Sequence, residues 1–222
     1  TMFKNFTFHD LTDEITPIAN HWKSENIDFD CIYTGYLGSK RQIDLVANLF
    51  DDFKSDSNLM IIDPVMADNG KLYPGFDVEF ASEMAKLCAK ADIIIPNITE
   101  ASFMTGMEYK GNYDEAYIKE MIQKLAELGA KVTILTGVSF EKGILGVMGY
   151  DKANDEYYYY KHPKIDAAYH GTGDIFASTL VGAIANGLTW KEAIPIAADY
   201  TAKSIELTLN DKKGRFYGVN FE

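Results

Sequence analysis

Five residues, His170-Gly171-Thr172-Gly173-Asp174, have the make-up of an anion cradle. They run directly into an apolar periodic stretch, Ile175 to Ile184, that reads as a helix. Glycines and an acid at a helix start converge backbone N–H groups on one point, and the helix dipole adds positive potential there. Such a point suits a phosphate, or the charge that builds while one is transferred. Asp174 in the same turn could take a proton from a hydroxyl attacking that phosphate. Taken alone, the pentapeptide is equally a glycine-rich loop with Asp174 as an ordinary cap.

Three other loops carry chemistry that would complement it. Asp63 and Asp68 put two hard oxygen ligands in one loop, a pattern that suits Mg²⁺ carried in with phosphate. Asp-Pro and Asp-Asn-Gly are also plain turn chemistry, and that alternative stays open. Asn97 and Glu100 stand at a helix start, where Asn97, or else Thr99, would be the cap. Asn97 could also bond a nucleotide phosphate, and Glu100 could hold a metal-bound water. Thr136-Gly137 would let a nucleotide approach the backbone closely. Other chemistries lack their residues: there is no G-x-x-x-x-G-K-[ST], no G-x-G-x-x-G after a strand and no G-x-S-x-G elbow. The four histidines lack metal-site spacing, and His170 is of interest only through its place beside the glycine turn.

The elements that must position these loops alternate strand and helix. Strands are expected at Phe29–Thr34, Leu59–Ile62, Asp92–Ile95 and Lys131–Leu135, and each ends in one of the polar or glycine-bearing loops. Helices are expected from Asp10 to Ser24, from Ser39 (a cap boxed with Gln42) and from Asp77 to about Ala89. Further helices should span Glu100–Thr105, Asp114–Leu128, Asp174–Asn186 and Lys191–Leu209. Pro17 moves the true start of the first helix later. An antiparallel hairpin at the sheet edge is read from Leu145–Tyr150 and Tyr157–Lys161, and the tail Arg215–Glu222 is aromatic enough to dock as an edge strand. The expected fold is α/β, three-layer α/β/α, with a mostly parallel central sheet and an edge hairpin. In such sheets ligands bind outside the carboxyl ends of the strands, where the Asp63, Asn97 and Thr136 loops would meet the Gly171 turn.

The 222 residues suffice for one large domain, and 47% hydrophobic with 24% charged residues is ordinary for a globular protein. A net charge of −12 argues against nucleic acid or an anionic membrane surface as partner. It also obliges an anionic substrate to rely on a metal ion or helix ends. Cys31 and Cys88 sit in apolar segments and are expected as buried free thiols. No signal peptide or bilayer-length apolar run is seen, so a cytoplasmic setting is expected.

Taken together, Asp63-Pro-Val-Met-Ala-Asp68-Asn-Gly-Lys-Leu-Tyr73, Ile95-Pro-Asn97-Ile-Thr-Glu100-Ala, Leu135-Thr136-Gly137 and His170-Gly-Thr-Gly-Asp174 are similar to the pyridoxal (pyridoxine, pyridoxamine) kinases of the ribokinase-like superfamily. Thr34-Gly35-Tyr36-Leu37-Gly38-Ser39 and the closing Arg215–Glu222 fit the same family. The resemblance covers essentially the whole chain, as one ribokinase-like domain over residues 1–222. It implies ATP-dependent phosphorylation of the 5′-hydroxymethyl group of a B6 vitamer. Asp174 would be the base, and the amides of Gly171, Thr172 and Gly173 the anion hole. Asp63, Asp68 and Glu100 would attend Mg²⁺. Asp63, Asn97, Glu100, Thr136, Gly137 and Thr172 would line the ATP site, and Tyr36 would lie against the pyridine ring. A homodimer is expected.

Three departures qualify the resemblance. The family's opening strand–helix–strand portion is missing, which should leave an exposed apolar sheet edge. Ala67 stands where many members have Gly, and Ile95 stands where some have Thr near a monovalent cation, so use of such a cation stays open. Two alternatives remain: a hydroxymethylpyrimidine kinase of thiamine synthesis, and a non-catalytic nucleotide- or vitamin-binding relative.

Overall fold

The computed structural model describes residues 4–211 and 217–221. In chain order a 3₁₀ turn at Thr12–Glu14 precedes α1 (Ile15–Ser24), β1 (Cys31–Thr34), α2 (Lys40–Phe53) and β2 (Leu59–Ile62). A small hairpin, β3 (Ala67–Asp68) and β4 (Lys71–Leu72), leads to α3 (Val78–Cys88), β5 (Ile93–Ile94), α4 (Ile98–Thr105) and α5 (Glu115–Leu128). Then come β6 (Val132–Val138), β7 (Ile144–Asp151), β8 (Glu156–Pro163), α6 (Thr172–Ala185) and α7 (Trp190–Leu209).

The main sheet has the order β1-β2-β5-β6-β7-β8. The first four strands run parallel, and β7 and β8 add antiparallel. Alternation along the strands divides the core into two layers. Met60, Ile62, Ile94, Leu135 and Met148 face a cluster that includes residues of α2 to α5. Ile61, Ile93, Ile134 and Val147 face the opposite cluster, which takes in Phe176, Leu180, Ile194 and Ala197 of α6 and α7. Met60, Ile61 and Ile62 are fully buried. Burying each such side chain contributes about 1.5–3 kcal/mol, so β2 reads as a continuous apolar run. This is the expected three-layer α/β/α arrangement with its edge hairpin.

The caps are those the sequence advertises. The Asp77 and Asp114 side chains accept from Phe80 N–H at 2.7 Å and Tyr117 N–H at 2.9 Å. Ser39 Oγ accepts from Gln42 N–H at 3.2 Å, but the Gln42 side chain does not return to Ser39. Its Oε1 instead accepts from Gly38 N–H at 2.6 Å.

Several expectations need correction. The first helix begins at Ile15, not Asp10, with Pro17 in its opening turn. Leu11, Ile15, Ile18, Ala19 and Trp22 share one face of the expected helix, yet Leu11 and Ile18 are 58% and 44% exposed. β1 is half-buried along its length and not a buried strand, because it is the sheet's edge. Beside it runs an apolar groove of about 420 Å³ lined by Ile18, Trp22, Phe29, Ile32, Val46 and Leu49. Cys31 is accordingly only partly buried, whereas Cys88 is buried. α4 begins at Ile98 instead of Glu100, and β6 continues through Thr136-Gly137 to Val138 with a bulge. The tail is not an edge strand: residues 217–221 dock as irregular chain on α6 and α7, while 215, 216 and 222 lie outside the described residues. Among the described residues no helix is long and apolar enough to cross a membrane.

Candidate functional site

Parallel pairing brings the carboxyl ends of β1, β2, β5 and β6 side by side, and short backbone bonds knit the loops that leave them. Asp63 N–H donates to Thr34 O at 2.9 Å, Ile95 N–H to Ile62 O at 2.9 Å and Thr136 N–H to Pro96 O at 2.9 Å. Asn97 and Thr136 form an isolated parallel bridge. The loops singled out from the sequence are thus one continuous rim.

Asn97 and Glu100 form a capping box at the start of α4. Asn97 Oδ1 accepts from Glu100 N–H at 2.9 Å, and Glu100 Oε2 accepts from Asn97 N–H at 2.8 Å. Both side chains also reach the Asp63–Asp68 loop. Asn97 Nδ2 donates to Ala67 O at 2.9 Å, and Glu100 Oε1 accepts from Met66 N–H at 3.2 Å. Glu100 is therefore a buried brace. Burial, and then the charge of Asp63, hold its carboxyl well above the ordinary value, against the pull of the Asn97, Met66 and Ala67 amides.

Asp63 is 7% exposed at the end of β2. Burial first, and the charge of Asp174 second, push its carboxyl up to about 8. Asp174 comes from the other end of the chain, so the two acids the sequence singled out share one site. The phenols of Tyr33 and Tyr73 belong to the same neighbourhood. Burial and then the charges of Asp63 and Asp174 raise Tyr33. Burial and then Asp68, Glu100, Asp63 and Asp174 push Tyr73 up to about 12.

α6 starts at Thr172 with Gly171 as its cap residue, at φ +90°. That left-handed conformation favours glycine. Among the described residues no side chain caps this start, and the first-turn amides of Thr172, Gly173 and Asp174 are open to a ligand or solvent. The Thr172 hydroxyl turns away and donates to Tyr169 O at 3.3 Å. The tail steadies the turn from behind, where Val219 N–H donates to His170 O at 3.2 Å.

The remaining candidates sit around this rim. Asp68 is exposed, and its carboxylate accepts from Asn69 N–H at 2.8 Å and Asn69 Nδ2 at 2.9 Å. Gly137 has φ +78°, and a Cβ there would meet open space. Its carbonyl accepts from the Tyr113 hydroxyl at 3.3 Å. Tyr36 is 61% exposed, and its ring lies 5.6 Å from that of Phe76. Among the described residues no group of three or more His, Cys, Asp and Glu is arranged as a ready metal cage.

Sequence reasoning missed Tyr33, taken only as a strand residue, and the β3–β4 hairpin, taken as a loop. It also missed the double grip of Gln42, whose Nε2 donates to Thr12 Oγ1 at 2.7 Å while Oε1 holds Gly38. The Asn69-Gly70 dipeptide was a usable hairpin signal. Nothing local signalled the partners of Tyr33 or Gln42.

The family model described as phosphomethylpyrimidine kinase matches residues 7–218. The chain is 30% identical to the pyridoxal kinase of Dictyostelium discoideum over 174 residues, which are 73% of this chain and 55% of that one. It is 29% identical to the hydroxymethylpyrimidine/phosphomethylpyrimidine kinase of Bacillus subtilis over 208 residues, 93% of this chain and 74% of that one. This chain therefore spans between about half and three quarters of the length of these curated relatives. A Bacteroides thetaiotaomicron protein provisionally called a phosphomethylpyrimidine kinase, in a crystal form with pyridoxal, matches with TM-score 0.91 and 36% identity over 99% of this chain and 77% of its own. An ADP complex of Bacillus subtilis pyridoxal kinase matches with TM-score 0.77 and 26% identity over 96% of this chain and 77% of its own.

Proposed function

From a chain that belongs to the phosphomethylpyrimidine kinase family, we propose an ATP-dependent kinase that phosphorylates the 5′-hydroxymethyl group of a B6 vitamer. The observation that carries this reading is the approach of Asp174, beside the uncapped start of α6, to Asp63 at the end of β2. A hydroxyl lying between Asp174 and the α6 amides would lose its proton to Asp174 as its oxygen attacks the γ-phosphorus, while the bond from that phosphorus to the β,γ-bridging oxygen breaks and ADP leaves. The N–H groups of the Gly171–Gly173 turn would hold the equatorial oxygens of the migrating phosphoryl group. Thr136, Gly137 and Asn97 would line the path of the nucleotide phosphates.

The acidic residues fit Mg²⁺. Asp174 adds to the raised proton affinity of Asp63, and Asp63 to that of Glu100, and a divalent cation would relieve that repulsion. Asp63 and Asp68 would hold it, with Glu100 in its water shell, and when bound it supplies charge neutralisation at the phosphates.

The pyridoxal-bound neighbour favours a B6 vitamer as acceptor, and Tyr36 with Phe76 offers an exposed aromatic face for its ring. The hydroxymethylpyrimidine reading rests on the family model and the Bacillus subtilis relative. Both acceptors present a hydroxymethyl group on a heteroaromatic ring, so the same base and anion hole would serve either. A homodimer in the cytoplasm completes the reading, checked by sedimentation and fractionation. The deciding experiment is incubation with Mg·ATP and either pyridoxal or hydroxymethylpyrimidine. Appearance of the pyridoxal 5′-phosphate absorbance at the higher kcat/KM supports the first reading. Preference for the pyrimidine moves the assignment to thiamine synthesis, and nucleotide binding with no product from either acceptor makes the chain a non-catalytic relative.

A further inference from the structure

We infer that Thr99 is a positioning residue that sets the Asp68 turn against α4, and through it the metal–nucleotide end of the site. This rests on the phosphoryl-transfer reading above and deepens it. Thr99 is buried in the first turn of α4, yet its hydroxyl does not cap the helix, because Asn97 does. Instead Thr99 Oγ1 accepts from Gly70 N–H at 3.0 Å. Gly70 (φ +75°) and Asn69 (φ +51°) are the two central residues of the β3–β4 turn. Two successive positive φ values are what a two-residue hairpin of this twist demands. The turn is packed as well as bonded, since a Cβ on Gly70 would come within 2.8 Å of the Tyr109 ring.

Asp68 is the residue immediately before this turn. Its backbone pairs with Lys71, and its carboxylate is oriented by both nitrogens of Asn69. Where the turn sits therefore decides where the Asp68 carboxylate sits. Asn97 and Glu100 fix the near flank of the hairpin at Ala67 and Met66. Thr99 fixes the far flank, at Gly70. Removing its oxygen while keeping its shape leaves the Gly70 N–H without its partner and releases the turn.

The test uses Thr99→Val, which keeps the branched shape but loses the acceptor, and Thr99→Ser, which keeps the acceptor. Mg·ADP affinity is read by calorimetry, Mn²⁺ affinity by paramagnetic resonance, and KM for Mg·ATP and pyridoxal by initial rates. Thr99→Val should weaken Mg·ADP and Mn²⁺ by about fivefold, the usual worth of one such bond. Pyridoxal KM should not move, and Thr99→Ser should bind within about twofold of the parent chain. Unchanged Mg·ADP binding in Thr99→Val, an equal rise in pyridoxal KM, or a Thr99→Ser as weak as Thr99→Val overturns the inference. A parent chain that neither binds Mg·ADP nor turns over overturns the kinase reading and takes this inference with it. Amide exchange of Gly70 in the unsubstituted chain gives a readout that needs no variant: protection supports the clamp, and exchange at the rate of a free loop refutes it.

Discussion

Asp63 and Asp174 lie about 110 residues apart in the chain, yet the charge of one raises the proton affinity of the other. Burial is the larger cause and Asp174 the second, and together they lift the Asp63 carboxyl from 3.8 to about 8. A raised carboxyl means the folded protein binds that proton more tightly than the unfolded chain does. Its contribution is fully present below about pH 4 and is lost as pH rises towards about 8. The metal-free protein should thus lose stability across that window. Asp63→Asn should flatten much of the slope and raise the unfolding midpoint at pH 8 to 9, by roughly 2–4 °C for each kcal/mol regained. Glu100, also raised, should leave a residual slope. Thermal unfolding from pH 5 to 9 in chelator checks this, and an unaltered slope in the variant would contradict it.

Asp174→Asn keeps the volume and the helix start but removes the carboxylate proposed as the base. We expect the rate to fall on the order of a hundredfold or more, since general-base loss typically costs 10² to 10⁴. Nucleotide affinity should stay near that of the parent chain, because the α6 amides are untouched. Single-turnover rates beside Mg·ADP calorimetry separate the two effects. Undiminished turnover in the variant would remove Asp174 from the chemistry.

The parts of this fold that were legible in the sequence are those set by short-range periodicity and caps. Met60-Ile61-Ile62 announces a strand buried on both faces, and Asp77, Asp114 and Ser39 announce helix starts. Gly171-Thr172-Gly173-Asp174 announced a helix start with amides left open, because that feature is local. What was not legible depends on what lies across a gap. Leu11 and Ile18 carry the spacing of an inward face, but no element of the described chain covers them. Composition alone does not distinguish an edge from a centre, so only the resemblance pointed to the exposed apolar edge that β1 forms. Gln42 satisfies a capping-box spacing and then spends its side chain on Gly38 and Thr12 instead.

Asp92 tests the opposite end of the sheet. It is 3% exposed at the amino end of β5 and accepts from Lys54 Nζ, from Lys131 Nζ at 2.8 Å and from Met60 N–H at 2.8 Å. Burial is the largest single influence and pushes its carboxyl up. The Lys131, Lys54 and Met60 donors together outweigh it and hold the carboxyl below the ordinary value. Both lysines are well exposed and can be solvated. The main loss in Asp92→Ala is then the stranded Met60 N–H and the charge-assisted bonds, about 2 kcal/mol. A depressed carboxyl contributes stability above about pH 4 that fades as pH falls below it, so the variant should differ from the parent least in acid. Denaturant unfolding at pH 7 and at pH 3 would show this. Activity should be unchanged, since the site lies at the other ends of the strands.

Gln42 tests the acceptor side. Its amide bridges two segments, holding Gly38 N–H through Oε1 and Thr12 Oγ1 through Nε2. Thr12 is in turn held by Asp10, which accepts from its N–H at 2.7 Å and from its hydroxyl. The segment before α1 is thereby tied to the turn that follows Tyr36, and a Cβ on Gly38 would lie only 3.6 Å from the Tyr36 ring. Loosening this turn should disturb the aromatic face offered to the acceptor and leave the nucleotide rim alone. Gln42→Ala should raise KM for pyridoxal about fivefold, the effect of roughly 1 kcal/mol, with KM for Mg·ATP unchanged. Gln42→Glu retains the acceptor for Gly38 and loses the donor to Thr12, so it should fall between the two. A parallel rise in both KM values would instead mark Gln42 as a support of the whole domain. The division of labour, Gln42 for the acceptor and Thr99 for the metal–nucleotide, would then fail at its first half.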